Sequence, residues 1–323
     1  MRVIRNRPAE ALRDGSARLR GVHAPRGAAV AIGNFDGVHR GHIAVIDRCR
    51  QLANAGEAIA MVTFEPLPLA FFSPAQAPAR LTTVYQKLGL LRAAGVDLTW
   101  LSRFDGQFAS LTAREFVERV LVTGLAARQV VVGADFRFGR GREGDVTSLA
   151  ELGDEFGFGV HVEPAVLCDG ERISSSGIRR HLAAGEFDTA GLLLGRPFRM
   201  GGHVIRGAGL GRKLGYPTAN LRIRAQPSPL GGVLAAFARV AGGPWMPAVT
   251  NLGRRPAVGG GEPLLEVHFF DLDEDLYGQR LEVQFVAKLR DEQDFENIEA
   301  LVAQMKRDEG AARACLAQAI TLQ

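Results

Sequence analysis

The sequence predicts a two-part α/β chain: a parallel sheet flanked by helices, then an antiparallel sheet or small barrel that closes with a helix. Three observations carry this. Through the first half, apolar runs of strand length alternate with helix-period patterns, the signature of parallel strands joined by crossover helices. After about Gly185 the helical periodicity thins, and strand candidates separated by Gly- and Pro-rich turns take over. At 323 residues the chain exceeds one typical domain and suits two, expected over residues 1–184 and 185–323.

Ala28–Ile32 is a short apolar run that suits a buried strand, and Gly33 ends it. Ile43, Ile46 and the stem of Arg50 recur at helical spacing, so a helix should begin near His42. Ala58–Phe64 reads as strand, followed by the Pro-rich loop EPLPLAFFSPAQAP. Thr82–Ala94 reads as helix with Leu88 and Leu91 on one face, Leu98–Leu101 as strand, and Thr112–Leu125 as helix. Gln129–Val132 is strand, Ser148–Phe156 helix and Val160–Val166 strand. In the second half the strand candidates are Met200–Ile205, Val233–Val240, Leu264–Phe270 and Leu281–Val286. Ile298, Leu301, Val302 and Met305 then form one helical stripe, and Ala311–Ile320 continues it.

Hydrophobic residues at 46% and charged residues at 23% are ordinary for a globular chain. A net charge of +4 suits an anionic substrate. The charge is spread along the chain, however, and no basic cluster interleaves with aromatics, which argues against a nucleic-acid partner. Cys49, Cys168 and Cys315 are far apart and odd in number, so they give neither a disulfide framework nor a CxxC metal pair. MRVIRNRPAEALRDG lacks the apolar stretch of a signal peptide, and no run approaches the about 18 apolar residues of a membrane span. The expectation is a cytoplasmic protein with no membrane partner.

Five constellations stand out, the first where a parallel sheet binds its ligands, beyond the carboxyl ends of the strands. Between Ile32 and the first helix, Phe35, Asp36, Gly37, His39, Gly41 and His42 form a glycine-bearing turn at a helix N-terminus, a ready anion site. Two imidazoles there can donate to phosphate oxygens; a structural pair or a metal pair is the alternative. Asp135, Phe136 and Arg137 follow a buried strand in VVGADFRFG, where ordinary core aromatics are the competing reading. In ISSSGIR, hydroxyls at a helix start are either caps or, with Arg179, a phosphate clamp. GAGLGRKLGYPTAN has the composition of a phosphate loop but not its pattern, because Lys213 is followed by Leu214. Thr218 and Asn220 offer hard oxygen ligands suited to Mg²⁺. Glu266 shares a strand face with Leu264 and His268, and a carboxylate in so apolar a strand needs a partner or a task, with Arg290 available to balance its charge.

Taken in order, these segments resemble the bacterial bifunctional riboflavin kinase/FMN adenylyltransferase (FAD synthetase) family. The resemblance rests on GNFDGVHRGH, TFEP, RLTT, VVGADFRFG, ISSSGIR, LGRPF, GRKLGYPTANL, NLGRRP, LEVHFFD with DLYGQ after it, and KLRDE. It implies a Rossmann-like nucleotidylyltransferase domain followed by a kinase domain on a six-stranded antiparallel barrel. The kinase domain would phosphorylate the ribityl 5′-hydroxyl of riboflavin with ATP and Mg²⁺, giving FMN. The first domain would join AMP from a second ATP to FMN, giving FAD and pyrophosphate.

By the same resemblance Glu266 matches the catalytic base of the kinase, and Thr218 and Asn220 its Mg²⁺ and phosphate ligands. Gly207, Gly211, Lys213, Gly215 and Pro217, with Asn251 and Arg290, fall in segments that bind ATP or flavin. His39 and His42 match the ATP-phosphate histidines of the adenylyltransferase, and Arg179, Ser175 and Ser176 its ISSTxxR segment. Gly33, Phe35, Asp36 and Gly37, then Asp135, Phe136 and Arg137, fall where ATP or FMN would bind. The implied partners are riboflavin, FMN and ATP, with the chain a monomer or weak homo-oligomer. There are departures: Leu67 stands in place of a histidine, and Ser176 and Gly177 replace Thr and a bulkier residue. Leu234 and Ala257 each delete a hydroxyl. A kinase-only enzyme and a non-catalytic flavin or nucleotide sensor are the alternatives.

Overall fold

Strands that are apolar on both faces need cover on both sides, and the first half of the chain is built that way. A computed structural model describes residues 1–6, 27–207, 209–223, 227–253, 264–272 and 274–321. In chain order it contains β1 (Arg2–Asn6), β2 (Ala28–Ile32), α1 (Arg40–Leu52), β3 (Ala58–Glu65), α2 (Val84–Ala93), β4 (Leu98–Arg103), β5 (Ala127–Gly133), α3 (Val146–Phe156) and β6 (Gly159–Glu163). These strands make one sheet in the order β1-β4-β3-β2-β5-β6, with every neighbouring pair parallel. Alternate residues of β2 enter two cores. Ala28, Val30 and Ile32 pack with Val120 and Leu121, while Ala29 and Ala31 pack with Ile46, Cys49 and Leu91. From β2 the chain steps to β3 and β4 on one side, and β5 and β6 lie on the other. The strand order therefore reverses between β2 and β5, the place where such sheets bind ligands.

The helix expected near His42 begins at Arg40, because His39 caps it. The N-terminal stretch, which shows no strand signal, contributes edge strand β1, where Arg2 and Arg5 are tolerated because one side of the strand is unpaired. On the buried face of α1, Cys49 has no exposed surface, and burial, helped by Glu163, pushes its thiol up to about 12. The thiolate is the reactive form. A thiol reagent at pH 8 should therefore modify Cys168 and Cys315 in the folded chain and reach Cys49 only on unfolding. Equal labelling of all three without denaturant would contradict this burial.

The chain continues through the hairpin β7 (Leu167–Cys168) and β8 (Glu171–Arg172), then α4 (Ser175–Ala184), α5 (Phe187–Leu194), β9 (Arg199–Ile205), β10 (Ala219–Arg222), β11 (Gly232–Val240), β12 (Met246–Gly253), β13 (Leu264–Phe269), β14 (Arg280–Arg290) and α6 (Ile298–Thr321). Strands β9 to β14 close into a barrel in the order β10-β13-β12-β11-β14-β9, every pair antiparallel. Helix α6 packs on its outside, burying Ala312 and Leu316 against Ala235 and Phe237. By its contacts the chain falls into two units, Met1–Pro78 with Thr82–Ser174, and Ala79–Leu81 with Ser175–Gln323. Helices α4 and α5 thus group with the barrel. Three barrel-unit elements escape sequence patterning. β10 is only four residues long. β12 carries Pro247, a residue depleted in strands, and α5 is an apolar run without clear helical period.

Candidate active sites

The loop after β2 is shaped by a reciprocal cap built from two imidazoles. His39 Nδ1 accepts from the His42 backbone N–H at 3.3 Å, and His42 Nδ1 accepts from the His39 backbone N–H at 3.3 Å. The rings stack with centroids 3.6 Å apart and planes 18° from parallel. Because each Nδ1 accepts from a backbone donor, each neutral ring carries its proton on Nε2. Such an N–H is a donor that a phosphate oxygen can accept from. Gly41 makes room for this: a Cβ there would sit 3.1 Å from His39 Cε1 and 3.2 Å from its Nδ1.

The loop backbone is unusual in a second respect. Phe35, Gly37 and Val38 have φ of 47°, 84° and 42°, which for Phe and β-branched Val is a strained conformation. It is held from the side. Asp36, 1% exposed, accepts at Oδ1 from the Thr82 backbone N–H and hydroxyl, both at 3.1 Å. Thr82 Oγ1 in turn accepts from the Gly37 N–H at 3.1 Å. Phe35 places its ring 5.1 Å from that of His42.

Beyond neighbouring β5, Asp135 pairs with Arg172 at 3.0 Å and Arg137 with Asp145 at 3.2 Å. Asp145 caps α3 through the Ser148 N–H, and that bonding, followed by the Arg137 charge, holds its carboxyl below the usual range. Phe136 stacks on Phe138 with centroids 5.4 Å apart. Ring contacts continue through Phe116, Phe108 and Phe104 to Phe64, Phe71 and Phe72. Phe138 is a core residue, as the competing reading has it, whereas Phe136 is only half-buried. An aromatic row thus runs past the carboxyl ends of β3, β4 and β5.

The second site lies in the barrel unit. Register sets Glu266 on β13 directly opposite Asn220 on β10 and opposite Asn251 on β12, so the three share one face. Leu265, Val267 and Phe269 turn away into the core, while Leu264, Glu266 and His268 line a cavity of about 540 Å³. The Oδ1 atoms of both asparagines are buried and have no hydrogen-bond partner among the described residues. Gly207 lies so close that a Cβ would meet Asn220 Nδ2 at 2.4 Å. His268 Nδ1 donates to the Pro217 carbonyl at 2.8 Å, which leaves Nε2 as the acceptor. Tyr216, edge-on to His268, has its hydroxyl raised mainly by burial and secondarily by Glu309.

Arg290 lines the same cavity, and its carboxylate partner is Asp308 on α6. The guanidinium forks onto Asp308 at 2.8 to 3.1 Å, and Gln304 adds a further bond to Asp308 at 2.8 Å. Sequence placed Arg290 beside Glu266 for charge balance; sequence separation hid Asp308, which the terminal helix brings in. Lys213 and Gly215 lie on the exposed turn after Gly211 and are not part of the cavity wall. The Gly211 carbonyl accepts from the Leu214 and Tyr216 backbone N–H groups and so closes that turn.

Sequence models of two families match the chain, FAD synthetase over residues 22–177 and riboflavin kinase over residues 194–316. The bifunctional riboflavin kinase/FMN adenylyltransferase of Escherichia coli K12 is 44% identical over 91% of this chain and 96% of its own length. The protein of the same description from Pseudomonas fluorescens is 45% identical over 93% and 97%. The chain belongs to the bifunctional riboflavin kinase/FMN adenylyltransferase family. A solved structure described as a macrolide-efflux protein from Streptococcus pneumoniae matches with a TM-score of 0.74 at 30% identity, over 89% of this chain and 94% of that one. Among the described residues of this chain no helix is long and apolar enough to cross a membrane.

The family's expected positions fall as follows. Asp36 and Gly37 lie in the loop after β2, His39 at its end as the cap of α1 and His42 in the first turn of that helix, with Gly33 at the strand end and Phe35 inside the loop. Ser175, Ser176 and Arg179 lie on α4, where Arg179 Nε donates to the Ala79 carbonyl. Among the departures, Leu67 is buried, 2% exposed, at the head of a one-turn helix, Pro68–Phe72. Leu234 is fully buried in β11, Gly177 is buried in α4, and Ala257 lies outside the described residues. The reading of His39 and His42 as metal ligands finds no third ligand: among the described residues no cluster of three His, Cys, Asp or Glu could hold an ion. Two contributors were not singled out as site residues in the sequence, Thr82, which enters there only within RLTT, and Lys87. Lys87 leaves a local signal of its own, a lysine beside Leu88 and Leu91 on a predicted helix.

Proposed function

We propose that the chain makes FMN from riboflavin and ATP in its second domain, residues 185–323, and FAD from FMN and ATP in its first, residues 1–184. The observation that supports this best is the row Asn220–Glu266–Asn251 on one face of a closed barrel, in a chain that also carries the imidazole-capped loop. A carboxylate flanked by two buried carboxamide oxygens, unpartnered among the described residues, is a costly arrangement unless something binds there.

In the kinase step Glu266 takes the proton of the ribityl 5′-hydroxyl. The oxygen bonds to the γ-phosphorus, the bond from that phosphorus to the β,γ-bridging oxygen breaks, and ADP leaves. The donor set suits Mg²⁺ held largely by phosphate oxygens, with Thr218 and Asn220 as neutral protein ligands; bound there, the ion would neutralise phosphate charge. Arg290, fixed by Asp308, holds its guanidinium in place on the cavity wall as a hydrogen-bond donor. In the adenylyl step an FMN phosphate oxygen attacks the α-phosphorus of ATP, and pyrophosphate leaves. His39 and His42 supply Nε2–H donors, and the N-terminus of α1 supplies its dipole, where negative charge develops. Phe136 and the aromatic row offer stacking surface for the isoalloxazine ring. The chain is read as a cytoplasmic monomer or weak homo-oligomer.

The test is direct. Purified full-length protein is incubated with riboflavin, ATP and Mg²⁺, and the flavins are separated by chromatography. FMN followed by FAD is expected. FMN alone would sink the adenylyltransferase half, and neither product would sink both.

A further inference from the structure

The adenylyl loop rests on a buried ammonium that the chemistry above does not use. Lys87 lies on α2 and has no exposed surface. Its Nζ donates to the Asn34 carbonyl at 2.8 Å and to Thr63 Oγ1 at 3.3 Å. Thr63 Oγ1 itself donates to the same Asn34 carbonyl at 3.0 Å. Asn34 is the residue on which the loop after β2 turns, immediately before the strained backbone of Phe35, Gly37 and Val38. Burying a lysine carries a desolvation cost even where its ammonium is hydrogen-bonded, so a lysine at this place calls for a reason.

The geometry assigns Lys87 as a positioning residue for ATP in adenylyl transfer, an inference that rests on the adenylyltransferase reading. Two effects follow from its place. First, it fixes one end of the loop. Asn34 is held by Lys87 and Thr63, and Asp36 and Gly37 are held by Thr82, just ahead of the same helix. Helix α2 and its leading residues thus grip the loop at three successive points. Left-handed φ values at Phe35 and Val38 persist only where the surroundings over-determine them. If the Asn34 anchor is lost, the loop relaxes and the His39–His42 cap loses its register toward a bound triphosphate. Second, the Lys87 ammonium and the buried Asp36 carboxylate lie at the same loop, so the charge a polyanion meets there is set by both, and removing the ammonium leaves the carboxylate to oppose it. ATP carries more charge there than FMN and lies at the loop itself, so its binding should be the more sensitive.

The experiment compares Lys87→Met, Lys87→Arg and Thr63→Val in the full-length chain, assaying FAD formation from supplied FMN and, separately, FMN formation from riboflavin. Lys87→Met is expected to raise KM for ATP at least tenfold in the adenylyl step, leaving KM for FMN within about twofold. Lys87→Arg, which keeps charge and donors, should restore KM for ATP to within about threefold of the parent. Thr63→Val should raise KM for ATP a few-fold. The kinase step should be unchanged in all three. An unaltered KM for ATP in Lys87→Met would overturn the proposal, as would an equal rise in both KM values accompanied by a lower thermal midpoint, which marks a purely structural role. Should Lys87→Met not fold, Thr63→Val decides on the same criterion. A parent protein that makes no FAD at all defeats the adenylyltransferase reading instead, and the two failures are distinct.

Discussion

Glu266→Gln should stop FMN formation while FAD formation from supplied FMN continues at the parental rate. A positioned general base contributes about 10²- to 10⁴-fold, so kcat for phosphorylation should fall by at least about a hundredfold. The glutamine keeps the shape and the strand register but cannot accept the ribityl proton. Its carboxamide N–H groups can reach toward Asn220 and Asn251, whose Oδ1 atoms lack partners among the described residues and face the same row. The thermal midpoint of the barrel unit should therefore hold or rise. A rise in stability with a loss of turnover is the mark of a site that sacrifices stability for chemistry. If Glu266→Gln phosphorylates riboflavin within tenfold of the parent, Glu266 is not the base.

The row around Glu266 shows what was legible in the sequence and what was not. Alternation in LLEVHFF put Leu264, Glu266 and His268 on one face, and the cavity bears this out. Period-two reasoning is strictly local and needs no partner strand. Which residues oppose Glu266 is a matter of pairing, and the pairing strands β10 and β12 are the ones that patterning missed. β10 is short, and β12 carries Pro247 and the polar Asn251. The fold class was legible for the opposite reason. Strands β2 and β3 are buried on both faces over most of their length, which shows as the apolar runs AAVAI and AIAMV, and β5 adds Val130, Val131 and Val132.

Long-range satisfaction stayed hidden. Arg290 meets Asp308, and Asp36 meets Thr82, across 18 and 46 residues of chain. No local period announces such pairs. They are set by the requirement that buried charge be partnered, and that requirement names no address. Lys87 is the intermediate case, since a lysine beside Leu88 and Leu91 on a predicted helix is a local signal even when its acceptor is unknown.

His42→Ala should do the reverse of Glu266→Gln, stopping FAD formation and leaving FMN formation intact. The substitution removes two things at once. One is the Nε2–H donor, and the loss of one preorganised donor to developing phosphate charge costs about 10²- to 10³-fold in turnover. The other is half of the reciprocal cap, because the His39 N–H loses its acceptor while the His39 ring still caps α1 through the His42 N–H. Losing a cap interaction costs about 1 kcal/mol, so the thermal midpoint should fall by only a few degrees. The two effects separate in His42→Asn. Its side-chain oxygen can accept from the His39 N–H and restore the helix start, yet it is shorter than imidazole and does not present a donor at the Nε2 position. Stability should therefore recover in His42→Asn while adenylyl transfer does not. If both properties recover together, the histidine acts by capping alone, and the phosphate contact must come from the backbone N–H groups of the loop. If either variant loses kinase activity in a folded chain, the two reactions do not occupy separate sites.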